Sequence, residues 1–357
     1  MILATALLLG SAAAAQAAEC PSDPALEYIC GPVKPEDVLA LPGTPWLIAS
    51  GFSQGSGIKL VDTRNRQFIV WFDGRKDQLR PAPAAFPRCP GPVAPSAFNA
   101  RGLSLRKIGS GRWQLLAVNH GGRESIEVFE VRSRGAARPR LQWRGCIPMP
   151  PGQVPNSVVS YADGTVLTTV LTRPGTTIAD FVQGRVTGGV WQWKRGQADF
   201  ELLPGTEFPG NNGVEVDPDQ RRFYVVAFGL HSVLTFDRFR TSTPLARTEA
   251  KDFMPDNIHW SSGRLLLAGM RLDEPACGGQ RKVIDGVADP MLCHRGSVVA
   301  ELDPAKQTIT TIAEFEPQPN FNGVSAAAIA NGRLWLGSFQ ASRIAVASLP
   351  KKRSAND

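Results

Sequence analysis

The sequence is short of the features that mark membrane, fibrous, zinc-stapled and nucleic-acid-binding chains. Beyond residue 18 no apolar run approaches the ~20 residues needed to cross a bilayer, so no stable membrane insertion is expected. No stretch holds an apolar stripe of 3.6-residue period for three turns, which removes long helices. There is no CxxC and no Cys/His cluster, which argues against structural zinc. Neither sign of charge dominates: 39 Lys and Arg stand against 32 Asp and Glu, net +7, spread along the chain. That balance excludes a strongly charged disordered protein and gives no basic stripe for nucleic acid. What is present is 43 % hydrophobic content with 35 glycines and 29 prolines scattered over 357 residues. This describes a globular chain crowded with turns, long enough for one large or two ordinary domains.

The first eighteen residues carry no charged side chain and close on Ala15-Gln16-Ala17, the small-residue pattern of a signal-peptidase site. Residues 1–18 are therefore read as a cleaved signal peptide, and the mature protein as periplasmic or secreted. Ala17, Ala18 and Glu19 ahead of Cys20 make a poor lipid-attachment site. All six cysteines lie in the mature part, an even number that suits an oxidising compartment. Cys277 and Cys293 flank one Gly- and Asp-rich excursion and are the first expected pair. Cys20 with Cys30 is a second, leaving Cys89 with Cys146, although spacing alone does not fix the connectivity.

From residue 36 to residue 349 the apolar pattern is short and mostly alternating, punctuated by Gly, Asp, Asn and Pro, and reads as nearly all-β. One unit recurs: a polar or small residue, a strand, a Gly-containing turn, and two or three further strands. Its openings are Glu36-Asp37-Val38, Arg101-Gly102-Leu103, Asn156-Ser157-Val158, Asn212-Gly213-Val214, Asp256-Asn257-Ile258 and Asn322-Gly323-Val324. Six returns at roughly 45–65-residue spacing predict a six-bladed β-propeller. A pair of β-sandwiches would not explain the sixfold return. The expected organisation is a single propeller domain over residues 19–350, with a disordered tail at 351–357.

In a propeller the residues just before each innermost strand meet at the mouth of the central channel. The converging set is Glu36, Arg101, Asn156, Asn212, Asp256, Asn257 and Asn322. Asn and Asp favour turns for local reasons, but that does not account for Glu36 and Asp256 joining amides at one phase of the repeat. Two carboxylates and three of the four amide oxygens form a hard, all-oxygen set that suits Ca²⁺, which takes about six to eight such ligands. Zinc would want imidazole or thiolate. A channel ion of this kind can be structural, or it can polarise an ester or lactone carbonyl.

Glu36-Asp37, the run Leu116-Ala117-Val118-Asn119-His120 followed by Ser125-Ile126-Glu127-Val128-Phe129, Pro155-Asn156, Asn212-Gly213 and Asp256-Asn257 resemble the paraoxonase/arylesterase family. That family belongs to the calcium-dependent phosphotriesterase group, with gluconolactonases and strictosidine-synthase-like propellers. The resemblance runs over the whole mature chain and implies a channel Ca²⁺ that serves lactone and aryl-ester hydrolysis. It implies Glu36, Asn156, Asn212, Asp256 and Asn257 as ligands of that calcium, and His120 as the outer histidine of a family pair. Two departures stand out. Where the family has its inner histidine this chain has Arg101, which stays protonated and cannot serve as a base, though it can stabilise an oxyanion or hold an anionic group. Where the family has an aspartate for a second, structural calcium this chain has Ser157, so that site is weakened or absent although Asp37 remains. Proton transfer then falls to Asp256, another carboxylate or a calcium-bound hydroxide.

Other signals have plainer readings. Gly51-Phe52-Ser53-Gln54-Gly55 matches GxSxG, but that motif needs a strand–turn–helix elbow, and here it joins two strands. His231 and His259 lie within blades and read as structural, and Trp191 and Trp193 as inter-blade packing. Residues 73–97 form a long, proline-rich loop, a feature that is often functional in a compact domain, and the resemblance implies that it overlies the channel mouth as a lid. The functional expectation is an exported calcium-dependent hydrolase of small-molecule lactones or aryl esters, with His120, Asp256 and Arg101 as catalytic candidates. The alternative is a non-hydrolytic propeller that keeps the calcium site and binds a ligand or partner; a condensing or lyase activity is a third possibility without a sequence feature of its own.

Overall fold

A computed structural model of the chain describes residues 20–289 and 292–349. The expected signal peptide, the first and last residues of the expected domain and the C-terminal tail lie outside the described residues. Six four-stranded antiparallel sheets follow one another along the chain as blades of a β-propeller. Their innermost strands are Val38–Ala40, Ala100–Gly109, Pro155–Ser160, Asn211–Val216, Phe253–Ser261 and Val324–Ala330.

The ring closes through a strand that the repeat reading did not contain. Glu27–Cys30 is the outermost strand of blade six, pairing with Arg343–Ser348 in the register Glu27↔Val346 to Cys30↔Arg343. The Cys20–Cys30 disulfide fastens the chain just ahead of it. All three pairings read from the sequence are present, Cys89–Cys146 and Cys277–Cys293 being the others. Three disulfides point to an oxidising compartment, and no described helix is long and apolar enough to cross a membrane.

There is no single core; six apolar clusters fill the six seams between neighbouring blades. A blade between two others must be apolar on both faces, so the middle strands read as continuous buried runs in place of the alternation expected. Trp46–Ala49 and Val166–Val170 are buried at every position. Alternation survives only toward the rim, as in Thr308–Phe315. Trp193 lies in the seam between blades two and three, stacked on Phe86 at 6.2 Å, which agrees with a packing role.

Residues 73–97 do not form the expected lid, and none of them lines the channel cavity. The backbone at Leu79–Ala82 follows the outermost strand of blade two, with Leu79 bridged to Trp143 and Ala82 N donating to Arg144 O at 2.8 Å, while Gly91 O accepts from Arg123 in the second-to-third connection of that blade. Phe86 and Arg88 continue outward to Trp193 and Asp199 of blade three. An antiparallel sheet leaves its outermost strand with unpaired backbone groups, and this segment covers them. The Cys89–Cys146 disulfide holds it there.

Candidate metal and substrate site in the channel

Each blade is a meander whose innermost strand starts at one end of the channel. The connection between its second and third strands therefore returns to that same end. Two layers follow from this topology: a floor made by the starts of the inner strands, and a wall made at the second-to-third-strand connections.

The floor depends on a repeated irregularity. Pairing between first and second strands slips between Ala100 and Leu103, Pro155 and Val158, Asn211 and Val214, Pro255 and Ile258, and Val324 and Ala326. These are β-bulges, which leave a residue unpaired and re-aim its side chain. Arg101, Asn156, Asn212, Asp256 and Asn257 thus sit inside the first strands at the bulge, not ahead of them as the repeat suggested. Glu36 and Asn322 precede their strands. Adjacent bulges approach closely: a Cβ at Gly102 would lie 2.5 Å from Asn156 O, and one at Gly213 would lie 2.7 Å from Asp256 O. Glycine at those two positions lets neighbouring blades bring the bulge backbones that carry Asn156, Asn212 and Asp256 close together.

Glu36, Asn156, Asn212 and Asp256 line one cavity of about 120 Å³. Asn257 joins them by donating its amide to Glu36 Oε1 at 2.8 Å, and Asn212 likewise donates to Asp256. Because the carboxylates take the N–H groups, the amide oxygens are left over. Glu36 Oε2 and the Oδ1 atoms of Asn156, Asn212 and Asn257 are buried without a hydrogen-bond partner. Such atoms cost about 1–3 kcal/mol each unless something fills the gap. Burial, reinforced by Asp37, pushes Glu36 up to about 8, and burial with Glu36 beside it pushes Asp256 well above the ordinary carboxylate range. Orphaned hard oxygens around two carboxylates that resist ionising alone form a donor set that fits a divalent cation of the calcium type. No group of three His, Cys, Asp or Glu side chains able to hold a metal occurs among the described residues, so the fit rests on amides supplementing two acids.

The remaining candidates are placed less directly. Asn322 is buried but turned away, its Oδ1 accepting from Arg295 N at 3.2 Å and its amide donating to Gln340. Arg101 lies with its guanidinium 3.3 Å from the centre of the Phe52 ring, its Nε buried and unpaired, within the fields of Glu36 and Glu124. His120 donates from Nδ1 to Glu124 Oε2 at 2.5 Å, and burial, with Arg101 adding, holds its protonation below the ordinary histidine value against that bond. Neither Arg101 nor His120 lines the cavity.

Below the floor, Asp37 is consumed by the protein itself. Its Oδ1 accepts from His259 Nε2 and Val38 N, both at 2.8 Å, and its Oδ2 from Leu103 N at 2.7 Å. His259 Nδ1 lies 3.9 Å from Glu215. Burial opposes a charge on His259, but Asp37 and Glu215 outweigh it and raise the imidazole to about 10. An imidazolium thus supplies positive charge beside Asp37.

The wall escaped the sequence reading. It consists of Phe52, Leu171, Ile178, Phe181, Val182, Phe228, Met270, Arg281, Ala288 and Phe339, drawn from five blades. Phe52 comes from the GxSxG segment, a loop between Trp46–Ala49 and Lys59–Asp62 with no helix after it. Helix Ile178–Val182 and the excursion closed by Cys277–Cys293 supply most of the rest. Their signal was available: both are long insertions at the second-to-third connection, which the topology assigns to the mouth.

No protein-family model matches the chain, and no curated protein matches it in sequence. Among solved structures, a candidate gluconolactonase superposes with a TM-score of 0.51 at 14% identity, covering 91% of this chain and 93% of that one. The calcium-binding protein regucalcin of Agrobacterium tumefaciens gives 0.49 at 12% identity over 91% and 95% of the chains. A PQQ-bound aldose sugar dehydrogenase of Streptomyces coelicolor gives 0.47 at 14% identity over 92% and 99%. The chain is thus a β-propeller whose structural neighbours include gluconolactonase- and regucalcin-like proteins. At 14% identity the likeness to the gluconolactonase structure shows the fold alone.

Proposed function

We propose that the channel holds Ca²⁺ on Glu36, Asn156, Asn212, Asp256 and Asn257, and that the protein is an exported hydrolase of lactones or aryl esters. The observation that carries this reading is the ring of four buried, unpartnered oxygens around two carboxylates at one end of the channel. A cation bound there supplies Lewis acidity toward a carbonyl oxygen. The apolar wall excludes water and holds the acyl or aryl body of a substrate. Asp256, which lines the cavity, is the carboxylate assigned to proton transfer. Arg101 brings fixed positive charge next to Glu36, and His120, tied to Glu124, acts through the same corner. The paraoxonase/arylesterase likeness and a single exported propeller domain over residues 19–350 belong to this reading, which the three disulfides support.

A panel of γ- and δ-lactones, phenyl esters and phosphotriesters, assayed with and without EDTA, tests it. The expected result is turnover that chelation abolishes and added Ca²⁺ restores. Turnover that survives chelation overturns it. The second reading, a calcium-retaining propeller that binds without hydrolysing, is favoured by Arg101 in the inner-histidine place and by His120 being held by Glu124. Calcium binding with no turnover across the panel would select that reading.

A further inference from the structure

Arg281 stands on the excursion between the second and third strands of blade five, closed by Cys277–Cys293, and lines the same cavity as Glu36 and Asp256. Its pairing is incomplete. Nη2 donates to His231 Nε2 at 2.9 Å, whereas Nη1 is buried and has no partner. Asp289, the carboxylate that bears on it, is already engaged: Oδ2 accepts from Arg295 Nη2 at 2.6 Å and Oδ1 from Lys282 N at 3.0 Å. Burial lowers Arg281 only to about 10, so it is a cation at neutral pH. Burial, with Arg281 adding, lowers His231 to about 4, so that ring is neutral and accepts, which fixes the plane of the guanidinium.

The cavity therefore has a polar floor and apolar walls interrupted by a single cationic group. On the floor, the two carboxylates match the charge of one divalent cation. Arg281 is left over as an uncompensated positive charge with an open, buried donor. An anion is the ligand that satisfies it, since hydrogen bonds to charged partners are the strong ones and buried unmatched donors are costly.

We propose that the site selects carboxylate-bearing amphiphiles, with an apolar acyl or aryl body against Phe181, Phe228 and Phe339 and a free carboxylate on Arg281 Nη1. As a substrate class this means a lactone or ester carrying a carboxylate remote from the scissile carbonyl. This refinement rests on reading the cavity as the substrate site of the proposed hydrolase.

Two measurements separate the refinement from the reading beneath it. In the first, calorimetry compares 4-phenylbutyrate with its neutral amide on wild type, Arg281→Met and Arg281→Lys, in Ca²⁺ and in EGTA. Wild type is expected to prefer the carboxylate about 10-fold or more, Arg281→Met to lose that preference in both buffers, and Arg281→Lys to keep part of it. Equal binding of acid and amide, or a preference that persists in Arg281→Met, overturns the anion site. In the second, phenyl hydrogen glutarate and phenyl butyrate are compared as substrates; water cleaves the phenyl ester bond in each, releasing phenol and glutarate or butyrate. A kcat/KM ratio favouring the glutarate ester that collapses in Arg281→Met supports the proposal. Turnover of both esters without preference overturns the anion site and leaves the hydrolase standing. Arg281-dependent binding with no turnover of either overturns the hydrolase and leaves the anion site. Arg281 lies on a disulfide-closed excursion outside the six four-stranded sheets, so near-wild-type melting temperatures are expected for both variants.

Discussion

Asp256→Asn is expected to make the calcium-free protein as stable as wild type or more so, and the calcium-supplemented protein markedly less stable. The reversal of sign follows from two features of the floor. Without a cation, burial raises the protonation of both Glu36 and Asp256, Asp37 adding at Glu36 and Glu36 adding at Asp256, and four oxygens nearby lack partners. Replacing one acid by its amide removes a buried ionisable group, which is commonly neutral or favourable. With a cation, the same change removes half of the compensating charge, and calcium affinity follows ligand charge. A loss of about 100-fold in affinity or more is expected by calorimetry. In wild type, Ca²⁺ at about 100 times its Kd adds about 2.7 kcal/mol to unfolding, a shift of several degrees that Asp256→Asn should lack at the same concentration. Asn212→Ala removes a neutral ligand and should cost about 10-fold. If wild type melts at one temperature in EGTA and in Ca²⁺, the floor is not a calcium site.

Much of this architecture was legible because propellers repeat. The six openings of the unit, from Glu36-Asp37-Val38 to Asn322-Gly323-Val324, located every inner strand. They also named the residues that meet at the cavity, since equal phase in a closed ring means proximity in space. Three things were not legible, each for a physical reason. Glu27–Cys30 closes blade six through pairing with a strand more than three hundred residues away, which local pattern does not encode. Asn322 shares the phase of Glu36, Asn156 and Asn212, yet the Arg295 backbone N and Gln340 capture it, a competition that depends on groups from other loops. Residues 73–97 had the length and proline content of a functional loop, but the demand of an open sheet edge in blade two decided where they went. The mouth wall was half legible: Cys277 and Cys293 marked an excursion, while its position above Asp256 followed only once the strands were counted.

The second large effect concerns the pair beneath the floor. His259→Ala is expected to cost about 3–5 kcal/mol of stability, the range for stripping the partner from a buried charge. Asp37 is fully buried, and its oxygens accept from His259 Nε2, Val38 N and Leu103 N. The two backbone donors remain in the variant but carry no net charge. A midpoint drop on the order of 10 °C is the measurable form of that loss, read in EGTA so that calcium binding does not contribute. His259→Gln can keep a donor toward Asp37 without the charge and should fall between. The double variant Asp37→Asn/His259→Ala should recover part of the deficit, because the stranded carboxylate is gone; a double-mutant cycle then measures a coupling that a merely space-filling histidine would not show. A His259→Ala protein melting within about 1 kcal/mol of wild type would mean that the imidazolium is not what holds Asp37. The position of the pair gives it a consequence for the site. Asp37 adjoins Glu36, and His259 lies two residues beyond Asn257 on the same strand, facing a second cavity of about 420 Å³ toward the opposite end of the channel. Losing His259 would leave Asp37 as a third unneutralised acid beside Glu36 and Asp256, so calcium affinity at the floor should rise while the scaffold that shapes it weakens.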